Sequence, residues 1–95
     1  MDKATTINNL TKAIEVSKKK IAGLESAIAS GERVVYDAWA AFEIVNNNTK
    51  TSDELKAERK LIFNSSVAAL DTNKATLAEE QQKLADLEAK LAELG

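Results

Sequence analysis

The chain of 95 residues has no cysteine, no histidine and no proline, only three glycines and only four aromatic residues. Each absence removes a class of protein. Without cysteine and histidine there is no disulfide framework, no Cys/His zinc site, no haem attachment and no thiol chemistry. The commonest general acid–base side chain goes with histidine. A sandwich or barrel needs many turns and many β-branched and aromatic residues, and this composition supplies neither. No stretch approaches the roughly 18 continuous apolar residues of a membrane span. The start, Met1-Asp2-Lys3-Ala4-Thr5, has no apolar run behind a basic one, so no signal peptide is expected.

Charge of one sign is also missing. Thirteen basic and fifteen acidic residues leave a net charge of −2, where a nucleic-acid binder shows a basic excess or a basic face. Acidic mimicry of nucleic acid is not expected either, because the carboxylates alternate with lysines. No GxGxxG, P-loop, GxSxG or DxDxDG element occurs. These absences lead to an expectation of no enzyme activity, no catalytic residue, no cofactor, no metal, and no nucleic-acid, membrane or small-molecule partner. The expected location is cytoplasmic, or within a virus particle.

What the chain does have is helix-forming material. Hydrophobic residues make up 44%, and 16 of them are alanine. From Ile7, steps of three and four give a strict heptad. Its a positions are Ile7, Ile14, Ile21, Ile28, Val35 and Phe42, and its d positions are Leu10, Ser17, Leu24, Gly31, Ala38 and Val45. Nine of these twelve are large and apolar, and a 3.5-residue repeat held this long predicts a coiled-coil seam.

The run Asn46-Asn47-Asn48-Thr49-Lys50-Thr51-Ser52 then breaks the pattern, since Asn, Ser and Thr compete with the helix for backbone groups. Thr51 with Glu54 fits a capping box. A second helix follows. Phe63, Leu70, Leu77, Leu84 and Leu91 keep a seven-residue spacing. Ser66, Asn73, Glu80, Leu87 and Leu94 stand three further on, with Leu55, Ile62, Ala69 and Thr76 on an adjoining stripe.

The expected fold is therefore all-α, a single domain over 1–95. Two long antiparallel helices, about 4–46 and 52–94, form a coiled-coil hairpin around a turn at about 46–52. A three-helix bundle broken at Ser30-Gly31 is the alternative, because glycine readily ends a helix. The phase of the heptad crosses Gly31 without a slip, and a helical glycine costs only about 1 kcal/mol, so the hairpin is preferred. Segment charges of +3 over 1–20 and −3 over 71–95 agree with antiparallel pairing. With the turn centred between Asn48 and Thr51, facing residues are expected to sum to about 99. Ser17 then faces Gln82, Gly31 lies near Ala68 and Ala69, and Lys12, Lys19 and Lys20 lie near acidic residues of the second helix.

Surplus apolar residues gather near the turn. The seam's flanks in the far half are Thr11, Lys18, Lys20 and Glu25, and in the near half Ala27, Val34, Trp39 and Ala41. All four aromatics lie in the near half. An apolar arc this wide needs more than one neighbouring helix, so Val34, Tyr36, Trp39, Leu61 and Ile62 are the expected protein interface. Lys18-Lys19-Lys20 reads as a solvated, salt-bridged face. Glu79-Glu80 with Asp86, and Asp53-Glu54 with Glu58, read as solvated carboxylates, since di-metal bundles pair Glu with Glu-x-x-His.

The expected role is a structural or assembly protein that self-associates through the hairpin. Virus-encoded accessory and virion proteins are often of this kind. The alternative is a small helical module that inhibits a larger protein. Either way the partner is a second copy or another protein.

Overall fold

The structure, a computed structural model, describes residues 2–95. Two α-helices run antiparallel as a hairpin: α1 over Lys3–Asn46 and α2 over Asp53–Leu94, of 44 and 42 residues. The three-helix alternative fails at Ser30-Gly31, where α1 is uninterrupted. No described glycine takes a positive φ, so Gly31 does not end the helix.

The ends follow from local hydrogen bonding. A helix leaves its first four N–H groups without partners. At α1 the Thr5 N–H donates to Asp2 Oδ1 at 2.7 Å. At α2 the Leu55 N–H donates to Ser52 Oγ at 3.2 Å. The α2 cap is thus Ser52 rather than Thr51, and the expected capping box is absent, because the residue three beyond Ser52 is Leu55 instead of an acid. Asp53 and Glu54 occupy the first turn, where the helix dipole favours negative charge. At the other end of α1, Asn47 donates its side-chain amide to the Glu43 carbonyl at 3.2 Å. The Asn48 side chain accepts from the Lys50 N–H at 2.9 Å, the Asx turn that reverses the chain. The asparagine cluster is accounted for by turn chemistry.

The chain divides into two compact units. The stem unit comprises the segment up to Ser26 and Ala75–Gly95; the turn-proximal unit is Ala27–Lys74. In both, burial follows the heptad. All twelve a and d positions of α1 are buried or half-buried, as are Phe63, Leu70, Leu77, Leu84 and Leu91 of α2 with Ser66, Asn73, Glu80, Leu87 and Leu94.

The register differs from expectation. In the turn-proximal unit a β-carbon at Gly31 would stand 3.2 Å from Leu70 Cδ1 and 4.0 Å from Leu70 Cβ. Gly31 therefore faces Leu70, not Ala68 and Ala69, and facing positions sum to about 101 rather than 99. The same arithmetic pairs Ala38 with Phe63 there. In the stem unit it pairs Ser17 with Leu84, and Gln82, the residue expected opposite Ser17, is exposed. At Gly31 a residue without a side chain meets a leucine, which is how two close helices fill one layer at interior density.

The cross-helix ion pairs are also absent. Among the described residues the ion pair is Lys90 Nζ to Glu93 Oε2 at 3.7 Å, both within α2. Asp86 instead accepts from Gln82 Nε2 at 2.9 Å on its own helix. Exposed pairs contribute only about 0–1 kcal/mol, too little to hold long side chains across the seam.

Candidate functional site

Apolar residues that the seam cannot take are left in water. Among the described residues the exposed large hydrophobics are Val16, Val34, Tyr36, Trp39, Ile44, Leu61 and Ile62. Six of the seven lie in the turn-proximal unit. All five residues expected at an interface are more than half exposed. Ile44, which the sequence reading did not single out, is the most exposed at 70%. It stands one residue before the buried Val45, and the seam pattern drew attention to Val45 alone.

These residues do not form one patch. At about 100° per residue, heptad positions g and c fall on one flank of the seam and e and b on the other. Val34, Ala41 and Ile44 occupy the first flank of α1, while Trp39 and Tyr36 occupy the second. On α2, Leu55, Ile62 and Ala69 take the g position, and Leu61 lies opposite the seam. The expected set therefore splits: Val34 and Ile62 fall on one flank, Trp39 and Tyr36 on the other, and Leu61 on neither.

The two helices meet along the first flank in an open groove of about 240 Å³ lined by Ala38, Ala41, Ile44, Arg59 and Ile62. This falls short of the roughly 300–1,000 Å³ of small-molecule sites and suits a single large side chain. At its floor Arg59 Nη1 donates to the Ala41 carbonyl at 3.0 Å. The last turn of α1 has no basic residue of its own. Arg59 brings a cation from α2 toward that negative helix end, where positive charge is stabilising.

Both flanks carry charge. In the turn-proximal unit the g positions are Ala27, Val34, Ala41, Leu55, Ile62 and Ala69, with no charge among them, while the c positions of the same flank include Asp37 and Glu58. The e positions there are Glu32, Trp39 and Asn46 on α1, and Asp53, Lys60, Val67 and Lys74 on α2. In the stem unit the g positions include Lys20, Lys83 and Lys90.

The remaining polar clusters behave differently. Lys18, Lys19 and Lys20 are exposed, without the ion pairs expected of them. Glu79 and Asp86 are exposed. Glu80 is half-buried instead of solvated, and its Oε1 has no hydrogen-bond partner, because its heptad position turns it into the seam. Among the described residues no three of His, Cys, Asp and Glu are grouped to hold a metal ion. Among the same residues, no helix is long and apolar enough to cross a membrane. No protein-family model, curated protein or solved structure matches the chain.

Proposed function

We propose that this chain is a non-enzymatic assembly protein that associates with copies of itself through the turn-proximal unit of the hairpin. The observation that carries this reading is the concentration of six exposed large hydrophobics in that unit. Apolar side chains left in water in this number are the surplus that an interface would bury.

Sedimentation of the full chain over a concentration series tests this. A reversible oligomer at micromolar concentration is the expected result. A monomer at about 100 μM, weaker than most specific assemblies, overturns it and favours a module that acts on a different protein.

A further inference from the structure

We draw no further inference here: the strongest candidate, the apolar flank of the turn-proximal unit formed by Val34, Ala41, Ile44 and Ile62 beside the open groove, carries none, since Asp37 and Glu58 share that flank, Arg59 lines its groove, and nothing in the structure shows what covers it.

Discussion

The β-carbon that Gly31 lacks would stand 3.2 Å from Leu70 Cδ1, so this glycine exists to let a leucine close a layer of the seam. The other helical glycine, Gly23, has nothing within 4 Å of the same position. The two sites separate helix propensity from packing. Gly23→Ala should stabilise the hairpin by about 1 kcal/mol, the propensity difference. Gly31→Ala gains the same propensity but must push the end of Leu70 aside, so it should gain less than half as much. Gly31→Leu overfills the layer and should destabilise by about 1–3 kcal/mol. Urea unfolding of the three variants checks this ranking, and equal gains for both alanines would mean that Gly31 and Leu70 are not in contact.

The same pair reports the register. A Cβ–Cβ separation of 4.0 Å lies inside the range of about 3.5–4.5 Å that a disulfide spans. The double variant Gly31→Cys with Leu70→Cys should therefore oxidise within one chain, detected as a faster-migrating, reducible band. The pair Ser17→Cys with Gln82→Cys, which a register two residues away requires, should not. Crosslinking with the reverse preference would restore the register drawn from the centre of the turn.

That difference shows where the sequence was readable. The two helices and the seam of α1 stand in the heptad from Ile7 to Val45, all of whose positions are buried or half-buried. The seam of α2 was equally visible, including its polar members Ser66, Asn73 and Glu80. The register was not, because the centre of the turn between Asn48 and Thr51 places it two residues off, and the lysines whose charges agreed with that placement, Lys12, Lys19 and Lys20, remain in solvent. Matching small against large, Gly31 to Leu70 and Ala38 to Phe63, carries the shift of two residues. The α2 cap moved from Thr51 to Ser52 because both are good caps and only the backbone decides which one the helix leaves from. The apolar surplus near the turn was visible as composition. Its division into two flanks was not, because adding Val34 to Trp39 discards the angle between them.

Asp2 gives α1 a pH dependence at its start. Its carboxylate accepts the Thr5 N–H at 2.7 Å, and this backbone hydrogen bond, followed by the Thr5 side chain, holds its pKa below the ordinary carboxylate value. A depressed folded-state pKa means that the cap's contribution is complete above the unfolded value of about 3.9 and is lost as pH falls through the lower folded value. The first turn of α1 should therefore fray in acid before the rest of the hairpin. Asp2→Asn keeps the cap and removes the titration. Amide exchange at Thr5 and Thr6, followed through acid, should accelerate in the wild type beyond the ordinary pH trend and not in Asp2→Asn. Equal behaviour would show that Asp2 does not cap α1.

Ser17 is the most buried residue of the stem unit, 1% exposed, and its Oγ has no hydrogen-bond partner. The comparison is Ser66, also in the seam, whose hydroxyl donates to the Ile62 carbonyl at 2.8 Å. A buried hydroxyl without a partner costs about 1–3 kcal/mol, and replacing it by a methyl group removes that cost without opening a cavity larger than an oxygen. Ser17→Ala should therefore raise stability by about 1 kcal/mol, whereas Ser66→Ala, which loses a made bond, should not raise it. Ser17→Leu is the opposite case. The register of Gly31 with Leu70, extended into the stem, puts Leu84 opposite position 17, and two leucines would overfill that layer, so a loss of about 1–3 kcal/mol is expected. The seam of α1 thus keeps a serine where every heptad argument asks for leucine, because Leu84 already supplies the volume. Thermal melts of the three variants decide: a stabilised Ser17→Leu would show that Leu84 does not face this position and that the register changes within the stem.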